Sequence, residues 1–368
     1  MSEKKSYELG QHPDMSPPAN MVGVVGWLRE HLFSSPLNGF LTAVCIYIFY
    51  IFVPPVLQWT LIDADWFGTT RNDCSREGAC WIYIGFWFKQ IMYGRFPDAE
   101  LWRINIAYVM LAGSLIALMV PGFKWKGWVS LFLLVIYPVI SFYLFFGGSF
   151  GLEQVDTPLW GGLFLTLVIS VVGIVASLPL GILLALGRRS DMPVVKAICV
   201  GFIEFWRGVP LITVLFMSSV MFPLFLPEGM NFDKLLRALI GVALFSSAYM
   251  AEVVRGGLQA IPKGQTEAAE ALGMSFWKTM GLIVMPQALK MVIPGIVNTF
   301  IGLFKDTTLV LIIGLFDLLG MMQLVSTNPD WIGFSIEGYV FAAFVFWVFC
   351  FSMSRYSMHL EKKLHTGH

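Results

Sequence analysis

The chain has 368 residues, 57% of them hydrophobic and only 13% charged, with a mean hydropathy of +0.72. A soluble domain of this length needs far more polar surface to cover its core. Lys and Arg balance Asp and Glu at 24 each, with no basic block or arm, so nucleic acid is excluded as a partner.

The first apolar run begins near Phe40, after a polar stretch, and is too long for a secretory h-region. Residues 1–38, with Gly10, Pro13, Pro17 and Pro18, read as a flexible cytosolic lead-in. Within it, Met21 to Phe33 is expected to form a short helix lying on membrane lipid.

Apolar runs of roughly 18 residues or more are long enough to cross about 30 Å of hydrocarbon, and in lipid the backbone of such runs must be helical. Eight spans are predicted, near Phe40–Ile62, Ile104–Val120, Val129–Phe146, Leu159–Leu186, Val209–Leu226, Leu236–Val254, Met291–Leu318 and Tyr339–Phe351. Two are longer than a crossing requires, so tilt, extension or a break is expected there. Placing both termini in the cytosol puts sixteen of the 24 Lys and Arg inside and seven outside, with Lys305 alone within a span. Trp81–Phe96 is interrupted by Lys89 and Arg95 and reads as an amphipathic helix at the outer interface.

Cys74 and Cys80 fall in the first outer loop, 63–103. The compartment outside an inner membrane is oxidising, so a small disulfide bracing that loop is expected. Two free thiols in a mobile loop are the alternative. Because the first three spans carry few internal polar residues, the chain divides near residue 150. Residues 39–150 form an accessory module and 151–368 a five-span working core.

The cytosolic loop 255–290 is the most informative stretch. Thr266 is expected to cap a helix, with Glu267 in its first turn where the helix dipole favours a carboxylate. Ala268, Ala269, Ala271 and Leu272 favour helix, and Gly273 suits the left-handed position that ends one. A helix of under two turns is unstable alone in water and must dock on something. The order Glu267-Ala268-Ala269, then Gly273, Ile283 and Pro286, resembles the cytosolic signature of permeases in binding-protein-dependent ATP-binding-cassette importers. Met285 stands where that family usually has Leu. Glu204–Leu211, Ala251–Leu258, Pro286–Lys290 and Asn298 through Leu309 resemble the polar amino-acid permeases among them, over roughly residues 155–360. The three added spans are similar to the larger permease of general L-amino-acid importers, the AapM type.

That resemblance implies an all-α polytopic bundle forming half of a pore in the bacterial inner membrane. A second permease, giving a heterodimer, would complete the pore. ABC ATPase subunits holding ATP and Mg would grip the short helix, and a periplasmic amino-acid-binding protein would deliver the amino-acid substrate.

Other residues have readings of their own. Glu252 and Arg255, three apart on one helical face, are expected to pair, and Arg207 is expected to anchor orientation at the cytosolic interface, with a place in the pathway as the alternative. Lys305 and Asp306 interrupt an apolar run, followed by Thr307 and preceded on the same span by Asn298. Neighbouring helical residues point about 100° apart, so either the helix breaks there or each charge needs a partner elsewhere. These four either line the translocation pathway or knot neighbouring spans together.

The chain has no Gly-x-x-x-x-Gly-Lys-Ser/Thr loop to cradle ATP and no Cys/His cluster at metal-ligand spacing, so it is expected to bind no cofactor and catalyse no bond chemistry. The rival reading is a secondary transporter driven by an ion gradient.

Overall fold

The computed structural model describes residues 23–120, 122–227, 229 and 232–364. Most of the expected lead-in, including Met21 at the start of its helix, lies outside these residues. Seven helices are long and apolar enough to cross a membrane: α2 (Pro36–Ile62), α4 (Asp98–Met119), α5 (Lys126–Phe146), α6 (Gly162–Arg188), α9 (Lys234–Ala260), Ile293–Ile313 and α14 (Ser335–Leu364). Shorter helices are α1 (Gly23–His31), α3 (Trp81–Tyr93), α7 (Pro193–Gly208), α8 (Leu211–Phe225) and α10 (Lys263–Ala271). They are completed by α11 (residues 276–291), α12 (Ile293–Asp306, the helical part of its span) and α13 (Leu318–Ser326). No β-strand occurs among the described residues.

Five of the eight predicted spans match helices of this set to within about six residues at each end, and a sixth, Tyr339–Phe351, lies inside the longer α14 (Ser335–Leu364). The other two are shaped by interruptions. The span expected at Val209–Leu226 is α8, which joins α7 at a bend of 102°. The cause is local: Pro210 follows a Gly-Val pair and has no N–H to continue a helix, so α7 stops and α8 starts afresh. The long span at Met291–Leu318 breaks, one of the outcomes expected from its length and its Lys305–Asp306 interruption. Its α-helix ends at Asp306, a tight 3₁₀ segment runs Thr307–Ile313, and Gly314 takes the left-handed conformation at φ 73°.

Two compact units divide between Trp81 and Ile82. In the first, Ser35 caps α2 by accepting from Asn38 N–H at 3.1 Å. Pro54 and Pro55 lie inside α2, and wide π-type turns at Gln58–Ile62 follow them. No residue of α2 is buried. The loop after α2 folds back on itself, with Asp65 N–H donating to Ala79 and Trp81 N–H donating to Asp65, both at 2.9 Å.

In the second unit, α6 and α9 form the central pair. Lipid supplies no hydrophobic force between helices, so their contact rests on close packing through small residues. Gly173, Ser177, Gly181 and Ala185 repeat every four residues along the buried face of α6, and Ala243, Ser247 and Ala251 do so on α9. A Cβ on Gly181 would lie 2.7 Å from the Met250 side chain and 3.0 Å from the Ala251 nitrogen. Around this pair, one apolar cluster joins α4, α5, α8 and α12 through Ile104, Phe145, Phe164, Leu215 and Leu303. A second joins the opposite ends through Ala185, Ile203, Met250, Leu258 and Val284.

Helix α3 forms where expected. It buries Ile82, Tyr83, Ile84 and Ile91, and Tyr83 shares a hydrogen bond of 3.0 Å with Ser326 and stacks on Phe334. One of its faces is therefore packed on protein.

Candidate functional site

Helix α10 is built differently from its sequence expectation. It starts at Lys263 behind Pro262 and runs nine residues, about two and a half turns. Thr266 therefore lies inside the helix and does not cap it, and no acidic residue falls in the first turn. Proline accounts for the earlier start, because its fixed φ presets the turn that follows. The C-terminal end is as expected. Gly273 sits at φ 73°, donates to the Glu270 carbonyl at 2.8 Å, and Met274 donates to Ala269 at 3.1 Å. This pair of bonds is a Schellman closure, which satisfies carbonyls the helix end would otherwise leave open.

Burial shows which way the helix faces. Ala269 is buried at 1% exposure, turned toward the protein's own segment Met280–Val284. Glu267, Ala268, Ala271 and Leu272 are exposed, Leu272 at 81%. The Ala residues thus fall on two faces: Ala269 seats the helix, and Ala268 and Ala271 are presented outward. Ile283 is half-buried against the second cluster, and Pro286 occupies the first turn of Met285–Met291. Gln287 ties that segment down, donating to the Ile283 carbonyl at 2.8 Å and to Gln265 at 3.4 Å. On its other side, a Cβ on Gly257 would meet the Ala288 carbonyl at 2.6 Å, so α9 and α11 touch backbone to backbone. A continuous packed path therefore leads from α10 through 280–291 to α9 and α6.

Beside this path lies a charged cluster. Glu252 takes Arg255 at 2.7 Å, as the sequence predicts. It also takes Arg188 of α6 at 2.6 Å, with Arg207 of α7 at 3.9 Å. Arg188 reaches Glu204 at 3.0 Å. The Arg207 guanidinium lies over the Tyr249 ring at 5.8 Å. Three guanidinium groups thus share two carboxylates, and the cluster fastens α6, α7 and α9 where they approach α10. Arg188 and Glu204 were not anticipated, since 64 residues separate Arg188 from Glu252 and no local spacing links them.

On α12, Asn298 and Lys305 are exposed two turns apart, and Asp306 is half-buried at the point where the α-helix gives out. Neither Lys305 nor Asp306 has an ion pair within 4 Å among the described residues. Thr307 differs from its neighbours. It is buried, and its hydroxyl donates to the Phe304 carbonyl at 2.8 Å, so it seals the break locally.

A family model for the binding-protein-dependent transport system inner membrane component matches residues 177–366. The chain is 56% identical over 359 residues to the inner membrane amino-acid ABC transporter permease protein YhdY of Escherichia coli K12, covering 98% of each chain. It belongs to the amino-acid ABC-transporter permease family. It is also 40% identical over 420 residues to BztC of Rhodobacter capsulatus, a glutamate/glutamine/aspartate/asparagine transport system permease, covering 95% of this chain and 96% of that one. GltK of Escherichia coli O6:H1, a glutamate/aspartate import permease, is 33% identical over 207 residues, which is 55% of this chain and 91% of GltK.

The permease is a multi-pass membrane subunit and not itself an ATPase. In the loop after α2, Cys74 and Cys80 are joined as a disulfide. Asp65 braces the same loop, accepting from the Ser75 N–H at 2.7 Å. Asp73 accepts from the N–H groups of Thr70 and Thr69, which hold its carboxyl below the usual carboxylate value. Arg103 and Arg237 lie about one turn inside the starts of α4 and α9, where they are buried. Each donates to a backbone carbonyl, Arg103 to Glu153 at 2.7 Å and Arg237 to Ser219 at 2.6 Å.

Sequence reasoning also passed over Asp317. It caps α13, accepting from Gly320 N–H at 2.9 Å, and is fully buried with its second carboxylate oxygen unpartnered. Burial pushes its carboxyl up to about 6. Only its neighbour's context explains this: Phe316 accepts from Gly162 N–H at 2.9 Å, which folds the segment under the start of α6.

Proposed function

We propose that this permease carries L-amino acids inward across the bacterial inner membrane as one half of a heterodimeric pore, in the manner of the larger permease of general L-amino-acid importers. In this reading ABC ATPase subunits, which hold ATP and Mg, seat α10 from the cytosol. A periplasmic amino-acid-binding protein loads the opposite side, and both termini are cytosolic. The names carried by YhdY and BztC support an amino-acid substrate. The shorter GltK, matching just over half of the chain, supports an accessory role for residues 39–150 beside a core at 151–368.

One observation carries the reading. A short helix is closed by Gly273, seated through Ala269, and turns Glu267, Ala268 and Leu272 outward while its underside packs on the segment gripping α9. ATP binding would draw the ATPases together, and α10 would pass that displacement through Met280, Val284 and Ala288 to the spans. Asn298, Lys305 and Asp306 are assigned to the pathway, supported by the exposure of Asn298 and Lys305 on one stretch of α12. Purifying the tagged complex and identifying every co-purifying chain tests the assembly. Vanadate tests the engine, since uptake stops if an ATPase drives it and persists under an ion gradient.

A further inference from the structure

A cavity of about 490 Å³ lies among α4, α5, α6 and the start of α9. We infer that it holds one acyl chain of a phospholipid whose ammonium headgroup meets Asp233. The coupling site and the translocation pathway do not use it, and the inference stands apart from the proposed transport cycle.

Its walls are apolar. Phe142, Phe145, Val168, Val171 and Leu239 are representative of the lining, and the cavity lies between helices long enough to cross a membrane. Water needs two to four polar partners to occupy such a space, and an empty one forfeits dispersion contacts on every wall. Helices of this length hold such a cavity within the hydrocarbon of a bilayer, so a lipid chain is the occupant at hand. Along α6 the lining runs from Phe164 to Ala176, a rise of about 18 Å at 1.5 Å per residue. Half the hydrocarbon core is about 15 Å, so the cavity has the length of one leaflet. Its depth is consistent with that: α5 contributes only from Tyr137 to Phe146, and α9 only its first turn and a half. All of these lie toward the end opposite α10.

At that end the lining turns polar. Asp233 is the one charged residue among the described lining residues. It is exposed, accepts from Leu236 N–H at 2.9 Å and from the Thr157 hydroxyl, and keeps free lone pairs for a cation. A carboxylate at the mouth of a chain-length apolar slot selects a headgroup that ends in ammonium over an anionic one.

The test is native mass spectrometry of the purified complex, with phosphatidylethanolamine and phosphatidylglycerol of identical chains added back. The wild type is expected to retain one phosphatidylethanolamine per permease through detergent stripping. Val171→Phe and, separately, Leu239→Phe fill the slot from two different helices, and each should abolish that retention while the complex stays assembled. Asp233→Asn keeps the helix cap but removes the charge, and should cut the preference for phosphatidylethanolamine about tenfold, the worth of one charge-assisted hydrogen bond. A wild type that emerges without lipid, or either filled variant retaining as much as wild type, overturns the inference. Equal retention of the two lipids by wild type overturns the assignment to Asp233.

Discussion

Arg188 donates from Nη1 to a Glu252 carboxylate oxygen at 2.6 Å, joining the last turn of α6 to α9. Glu252 simultaneously holds Arg255, so a single carboxylate ties α6 to α9 beside the α10–α11 segment. Its side chain is 15% exposed, and removing it leaves guanidinium groups facing one another. Glu252→Gln should therefore destabilise the permease by about 2 kcal/mol. Glu204→Gln, whose side chain is 55% exposed, should cost under about 1 kcal/mol. Thermal unfolding of the purified complex, followed by intrinsic fluorescence, separates the two.

Close approach gives a sharper contrast. Gly256 and Gly257 are neighbours on α9, yet a Cβ on Gly256 meets nothing within 4 Å and one on Gly257 meets the Ala288 carbonyl at 2.6 Å. Gly256→Ala should be neutral or slightly stabilising. Gly257→Ala forces two backbones apart and should cost about 1–3 kcal/mol. Because α9 and α11 carry the proposed coupling path, it should also lower transport-coupled ATP hydrolysis. The same unfolding assay, run beside ATPase activity in proteoliposomes, reads both effects.

Gly273 must adopt a left-handed backbone to close α10. An L-residue there costs about 1–2 kcal/mol, and Asn less than a β-branched residue. Gly273→Val should reduce uptake severely with the protein still inserted, and Gly273→Asn should retain much of it. Equal uptake by the two variants would show that the shape of this helix end does not matter.

Asp317 makes stability depend on pH. Its carboxyl is raised from 3.8 to about 6 in the folded protein, so the folded state prefers the protonated form. The contribution is fully present below about 4 and is lost as pH rises through about 6; the loss is on the order of 3 kcal/mol at most. Asp317→Asn preserves the cap and removes the titration. Unfolding measured from pH 4.5 to 7.5 should show the wild type weakening with rising pH by more than the variant does.

The architecture was legible because lipid leaves the backbone few choices, and apolar runs long enough to cross a bilayer announce themselves. The α10 end was legible for a local reason, since Gly273 is the residue that a left-handed closure demands. Its start was misplaced because Thr266 is a good cap in isolation, whereas Pro262 presets the turn earlier. The small-residue stripe from Gly173 to Ala185 stood in the sequence at four-residue spacing and identifies the α6 face that meets α9. Contacts that bring distant segments together, Arg188 with Glu252 and Asp317 beneath Gly162, had no such local pattern to announce them.

Site-specific cross-linking tests the central claim most directly. With Cys45, Cys199 and Cys350 replaced, a single cysteine is introduced at exposed Leu272 or at buried Ala269 in the assembled transporter, and short bifunctional reagents are applied. Leu272→Cys should capture an ATPase subunit, with capture changing when ATP is added, and Ala269→Cys should capture none. A well-inserted Leu272→Cys protein that supports uptake and never captures that subunit would contradict the docking of α10 on an ATPase.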